Sequence, residues 1–209
     1  MTILITIGPT QEPLDSMRLI SNRSTGKLGT LLATSLADQG HTIIALRGTG
    51  ATASPASLER ENIRVISFTT TENLRRQLEK LGAEEKIDAI FHAAAVSDFY
   101  LPGAGDGKIP TSGGALSLTL EPTPKLLRLL RGWFPTARIT GWKFEASGDR
   151  NAAVAMGRAQ IAACHSDACV VNGPSYGEGF GVLSKSGELI HLADRIALCS
   201  LLSTSLSGS

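Results

Sequence analysis

Residues 18–40, RLISNRSTGKLGTLLATSLADQG, collect anion-binding side chains ahead of a helical run: Arg18, Ser21, Asn22, Arg23, Ser24 and Lys27. A Gly-Lys pair at such a place suggests phosphate chemistry, yet the stretch is not a P-loop. Leu28 follows Gly26-Lys27 where that motif needs Ser or Thr, and Ser21 stands where its first glycine belongs. What the residues support is a helix beginning near Ser24 or Thr25. Its free N–H groups would point back toward the preceding strand end and favour an anion by about 0.3–1 kcal/mol through the dipole. Asn22, Arg23 and Ser24 could add donors. Simple N-capping by Ser24 is an equal alternative.

Other stretches carry candidate chemistry. HAAAVSDF (92–99) ends an apolar run in small side chains, against which a ligand plane can lie. Asp98 there could hold a ribose, a metal or only a turn, and His92 reads as a satisfied core residue. The stretch also resembles a strand end of short-chain dehydrogenases. These need Tyr-x-x-x-Lys, whereas Tyr100 is followed by Ala104 and Tyr176 by Phe180, so hydride transfer is disfavoured. GAGDGKIP (103–110) puts Lys108 in a glycine-rich loop. A movable point charge over a strand-end pocket suits closure on a polyphosphate, although most surface lysines do nothing of the kind. RGTGATA (47–53) contains GxGxxA but follows the second strand rather than the first. Pro55 disfavours an immediate helix, so the string reads as a decoy.

The elements that must position these residues alternate. Strands are expected at 2–7, 41–47, 63–68, 87–93, 137–142 and 167–172, with an exposed alternating strand at 115–120. Helices are expected from Leu28 to Gly40, at 71–81, after a Thr123 cap with Pro124 in the first turn as far as Arg131, from Asp149 to Cys164, and at 194–202 before a polar, frayed tail. Residues 181–192 read as a hairpin. Residues 94–114 lose all periodicity and hold five glycines and two prolines, which marks a long functional loop. Strands alternating with crossover helices imply a Rossmann-like α/β fold in a single domain spanning 1–209. It is a three-layer, doubly wound, mostly parallel sheet with a long lid loop and a C-terminal β-hairpin. Ligands of such sheets bind beyond the carboxyl ends of the strands. That edge is expected at residues 8–22, 47–50, 94–108, 141–145 and 172–176.

Composition narrows the class. The 209 residues are 42% hydrophobic and 19% charged, with 20 basic against 19 acidic side chains interspersed. Nothing points to nucleic acid or a membrane surface. Cys164, Cys169 and Cys199 have no ligand-like spacing and read as reduced core thiols. The opening MTILITIGPT lacks a basic flank or cleavage site and reads as the first strand of a cytoplasmic protein.

ITIGPTQEPLDSMRLISNRSTGKLG, HAAAVSDFYLP, GKIP, LEPTPKLLRLL, ITGWKFE and DACVVN occur in that order. Together they resemble the phosphopantothenoylcysteine synthetase family of coenzyme A biosynthesis, nearest the stand-alone bacterial type without a fused flavin-dependent decarboxylase. The resemblance implies a ligase that activates the carboxylate of 4′-phosphopantothenate with CTP, or ATP, as an acyl-nucleotide, from which the cysteine amine displaces the nucleotide. A relative that binds nucleotide without ligating is the alternative. Mg²⁺ would accompany the triphosphate, with no metal ligand assigned. The protein would be a homodimer, with a separate decarboxylase as a possible partner. The resemblance implies catalytic roles for Asn22, on the acyl oxygen, and for the lid residue Lys108, on pyrophosphate. It implies substrate binding by Arg18, Ser21, Asn22 and Ser24. It implies a nucleotide site of Gly8, Thr10, Ala94, Ala95, Asp98, Lys108, Pro124, Lys125, Leu126, Leu127 and Trp142. Four positions depart from the family pattern. Pro9 replaces a glycine, Pro110-Thr111 replaces the lysine pair of a run common in fused enzymes, and Gly173 replaces an aspartate. The helix before Asp167 offers only Arg158 where two lysines are usual.

Overall fold

A computed structural model describes residues 1–105 and 107–206. The β-branched run TILITI forms β1 (Thr2–Ile7), and a short ribbon follows, β2 (Gln11–Pro13) against β3 (Leu19–Ser21). Next come α1 (Lys27–Asp38), β4 (Thr42–Gly48), β5 (Ile63–Phe68), α2 (Thr71–Glu84) and β6 (Ala89–His92). A second ribbon pairs β7 (Phe99–Tyr100) with β8 (Glu121–Pro122). The chain continues through α3 (Leu126–Trp133), β9 (Arg138–Phe144), α4 (Arg150–Cys164) and β10 (Ala168–Asn172). The hairpin β11 (Phe180–Ser184) and β12 (Leu189–Leu192) and the helix α5 (Arg195–Thr204) complete it.

The main sheet has eight strands in the order β12-β11-β10-β9-β6-β1-β4-β5. The six strands from β10 to β5 run parallel, and β11 and β12 return antiparallel. This is the expected doubly wound α/β sheet with its C-terminal hairpin. The winding reverses between β1 and β6, which is where such sheets open a ligand crevice. Alternation along each strand sorts the core. Ile3, Ile5, Ile7, Phe91 and Val170 pack beneath α1 and α5, whereas Leu4, Leu46 and Ile90 pack beneath α2 and α3. Cys164, Cys169 and Cys199 are buried and free, as their spacing suggested. No helix among the described residues is long and apolar enough to cross a membrane.

Three expectations fail locally. The helix expected from Ser24 or Thr25 starts at Lys27, because Gly26 takes a left-handed φ of 76° as its N-cap and no side chain caps it. Residues 115–120 are not a strand, and only Glu121 and Pro122 find a partner. Thr123 is not a helix cap. Its hydroxyl donates to the Ser97 carbonyl, and α3 begins three residues later behind Lys125. The end of the expected polar tail, residues 207–209, lies outside the described residues.

Candidate active site

The crevice is built on residues 94–98, just beyond β6, and neighbouring elements fix this segment from several sides. The Ala95 amide donates to the Gly8 carbonyl (3.0 Å), and the Ala95 carbonyl accepts from the Thr10 amide (3.2 Å). The Ala94 amide donates to Thr6 Oγ1 (3.0 Å), and the Ser97 amide to Thr10 Oγ1 (2.8 Å). Asn22 Nδ2 donates to the Val96 carbonyl (2.9 Å). The small side chains of Ala94 and Ala95 thus lie half-buried on a backbone platform that is already hydrogen-bonded.

Asn22 follows β3, so the β2–β3 ribbon carries it over the platform. A side-chain amide has two hydrogens, and the bond to Val96 uses one. Ser21 Oγ donates to the Thr10 carbonyl (2.8 Å) and holds the ribbon down. Thr10 corrects an expectation. Its side chain is completely buried, with its oxygen against the Ser97 amide and 3.2 Å from Thr71 Oγ1, so it braces the platform and cannot reach a nucleotide. Arg18 also departs from its expected role as an open anion grip. It pairs with Asp15 through Nε (2.9 Å) and Nη2, and Nη2 also donates to the Ile109 carbonyl (2.8 Å). Ser24 caps nothing and is half-buried ahead of Gly26.

The first strand end meets α1 through three glycines. Gly8 has φ 81°, and a Cβ there would lie 2.6 Å from the Ala51 Cβ. One at Gly26 or Gly29 would press on Ile7 at 3.1 or 3.0 Å. A tight turn, an approachable backbone and close helix–strand packing are the glycine functions of a dinucleotide fingerprint. Here the ribbon separates Gly8 from Gly26 and Gly29, so no single motif shows them. The glycines of RGTGATA serve packing instead, since a Cβ on Gly48 would lie 2.3 Å from the Pro9 carbonyl oxygen.

Asp98 and Lys125, both assigned to the nucleotide, form an exposed ion pair with each other. Such pairs are worth little and open readily. Leu126 opens α3 with its side chain buried, and Leu127 packs against the same core, so their side chains are core and only the uncapped α3 N-terminus faces outward. Pro124 is exposed in the preceding turn. Trp142 is placed apart from that group. Gly141 faces Leu127, so the next side chain turns to the opposite face, edge-on to Phe91 with ring centroids 6.5 Å apart. Lys108 is exposed on the 101–120 segment, beside the Ile109 that Arg18 engages. His92 is the core residue expected, with Nδ1 3.0 Å from Thr6 Oγ1 and burial pushing its pKa down to about 4.

Two carboxylates went unnoticed in the sequence. Glu12 is buried and accepts from the Thr71 amide (2.8 Å) and hydroxyl (2.7 Å), locking the ribbon to the start of α2. Asp15 is buried too. The Arg18 guanidinium above all, with the Ile109, Met17 and Arg18 amides, holds its carboxyl far below the usual range. The signal available was DSMR, an Asp three residues before an Arg with a turn between them. No group of three metal-ligating side chains occurs among the described residues.

The topology defines a doubly wound α/β protein whose switch point carries a hydrogen-bonded backbone platform. More narrowly, residues 1–202 match the DNA/pantothenate metabolism flavoprotein C-terminal domain, and the chain belongs to that family. It is 32% identical over 170 residues to the coenzyme A biosynthesis bifunctional protein CoaBC of Thermococcus kodakarensis, covering 81% of this chain and 40% of that protein. It is 31% identical over 202 residues to the CoaBC protein of Mycobacterium tuberculosis, covering 90% and 45%. The chain therefore spans less than half the length of these relatives. The DNA/pantothenate metabolism flavoprotein from Streptococcus pneumoniae shares the fold, with a TM-score of 0.86 at 22% identity over 99% of this chain and 98% of that one. So does a Cab2 mutant in complex with phosphopantothenate-cysteine, with a TM-score of 0.81 at 20% identity over 99% and 85%.

Proposed function

We propose that this chain is a phosphopantothenate–cysteine ligase that works through an acyl-nucleotide, with CTP preferred over ATP. The observation that carries the reading is Asn22 seated on the Val96 carbonyl above a preformed platform, in a chain of this family. In the first half-reaction a carboxylate oxygen of 4′-phosphopantothenate attacks the α-phosphorus and pyrophosphate leaves. In the second, the cysteine amine attacks the acyl carbon, the nucleotide monophosphate leaves with the bonding pair, and the amine loses a proton. Asn22, with an amide hydrogen to spare, stabilises the oxygen on which charge grows. Lys108 neutralises the departing pyrophosphate, and the uncapped N-termini of α1 and α3 favour the remaining phosphate charge. Arg18, Ser21 and Ser24 border the phosphopantothenate side. Gly8, Ala94, Ala95, Asp98 and Pro124 to Leu127 border the nucleotide, the two leucines through backbone alone.

Mg²⁺ suits this donor set, because it binds chiefly through phosphates with one or two carboxylates and keeps its waters. Asp98, once released from Lys125, would be the carboxylate to share it. The ion would neutralise triphosphate charge. Exposed Met17, Leu19 and Phe99 on adjoining ribbons support a homodimer with the crevice near its interface. The stand-alone, cytoplasmic arrangement, served by a separate decarboxylase, belongs to the same proposal; the size and fractionation of the native polypeptide would test it.

One observation favours a nucleotide-binding relative without ligase activity. Arg158, the cation of the helix segment where the family resemblance implies lysines, lies against Gly187 in the β11–β12 turn. The deciding assay mixes protein, Mg²⁺, 4′-phosphopantothenate, cysteine and CTP or ATP, and follows pyrophosphate. Release that depends on phosphopantothenate supports the ligase. Nucleotide binding without release supports the relative.

A further inference from the structure

The described residues of the 101–120 segment are mostly exposed. Among the described residues, the hydrogen bonds joining 103–118 to the rest of the chain converge on Ile109. Its amide donates to Asp15 Oδ2 (3.0 Å), and its carbonyl accepts from Arg18 Nη2 (2.8 Å). An acceptor and a donor are thus offered side by side to one residue, as a neighbouring strand would offer them. Here two side chains make the pair.

The pair is rigid for a reason. The Asp15 side chain is only 1% exposed. Oδ1 accepts from the Met17 amide (2.8 Å) and the Arg18 amide (2.7 Å). Oδ2 accepts from Arg18 Nε, Arg18 Nη2 and the Ile109 amide. Five donors saturate a carboxylate, which has about four lone-pair sites. The Leu14 amide closes the turn on the Arg18 carbonyl (2.8 Å). The same ribbon is held by Glu12 on Thr71 and delivers Asn22 to Val96.

We propose that Asp15 is a positioning residue: with Arg18 it latches the loop at Ile109 and thereby sets Lys108 over the crevice in register with Asn22. Consecutive Cα atoms are about 3.8 Å apart, so fixing Ile109 leaves Lys108 one virtual bond of freedom. Arg18 orients the loop through its Nη2 edge, which is a different task from gripping substrate. For catalysis the inference rests on the ligase reading; for loop order it stands without it.

The test uses the full chain in three forms: Asp15→Asn, Ile109→Pro and Lys108→Ala, with the Asp15→Asn/Lys108→Ala double variant. Amide hydrogen exchange at 103–112 should accelerate about tenfold or more in Asp15→Asn. Unchanged exchange overturns the latch. Ile109→Pro removes the amide donor on the exposed loop and leaves the ribbon intact. It should raise subtilisin cleavage within 103–112 even if Asp15→Asn fails to fold, and unchanged cleavage overturns the latch equally. In turnover, Asp15→Asn should lower kcat about 10- to 100-fold with little change in the KM for cysteine. In the Lys108→Ala background it should lower kcat no further. Losses that multiply would show that Asp15 does not act through Lys108. A wild-type chain that releases no pyrophosphate refutes the ligase reading, and the exchange measurements then decide the latch alone.

Discussion

Thr10→Val tests whether the platform is braced from beneath. Thr10 is completely buried, and its hydroxyl oxygen accepts the Ser97 amide at 2.8 Å. Valine has nearly the same shape, so no cavity opens, but the Ser97 amide loses its acceptor in a buried setting. Leaving one buried donor unsatisfied costs about 1–3 kcal/mol. Thr71 is spared, because Glu12 Oε1 still lies 2.7 Å from its hydroxyl. In a chain of this size each kcal/mol lowers Tm by about 2–4 °C, so the expected fall is about 2–12 °C. The measurement is urea and thermal unfolding of the ligand-free protein, with Thr10→Ser as the control that keeps the hydroxyl. The loss must appear without nucleotide, since Thr10 acts on the loop and not on a ligand. A Thr10→Val protein within about 0.5 kcal/mol of wild type would refute the reasoning, because that is the range of substitutions that touch nothing important.

Further outcomes are expected at the same crevice. Gly8→Ala forces a side chain into φ 81° against the Ala51 Cβ. It should cost about 1–2 kcal/mol for the left-handed backbone and about 1–3 kcal/mol for overpacking, with Ala51→Gly recovering only the second part in urea titrations. His92 makes stability depend on pH. Its folded pKa of about 4 lies below the ordinary 6.5, so the unfolded chain binds the extra proton first. Stability is therefore full above about pH 6.5, falls as pH drops toward 4 by up to about 3 kcal/mol, and then levels. Urea midpoints at pH 5 and 7.5 should converge in His92→Gln. Asn22→Asp should slow amide formation more than pyrophosphate release, by about 10²–10³-fold, the usual cost of losing an oxyanion donor. Equal slowing of the two half-reactions would remove that role.

Much of the architecture was legible because it rests on local pattern. β-branched runs gave the parallel strands, leucine spacing gave α1 and α2, and Asp149 caps α4 as its position suggested, while Asp194, expected inside the last helix, caps α5. The two small ribbons were not legible. β2, β3, β7 and β8 are two or three residues long, too short for any period, and they exist because segments remote in sequence pair and hydrogen-bond with them. Gly173 shows the same limit. It reads as a departure from the family pattern, yet its φ is 111° and a Cβ there would lie 2.5 Å from the Glu145 carbonyl oxygen, so an aspartate could not enter without a backbone shift.

By itself the sequence determined that a strand end, a helix start and a glycine-rich loop would share one edge, because hydrophobic periodicity dictates which faces are buried and a parallel sheet puts its loops at one edge. It also nominated Asn22 and Lys108 through a family likeness. The tertiary structure alone decided what each polar side chain does there. Thr10, Glu12 and Asp15 are braces, Trp142 turns to the far face, and Arg18 is engaged by a carboxylate three residues away and a carbonyl 91 residues on. Polar partnerships of that kind depend on angstrom-scale distances between segments remote in sequence, and residue type does not encode such distances.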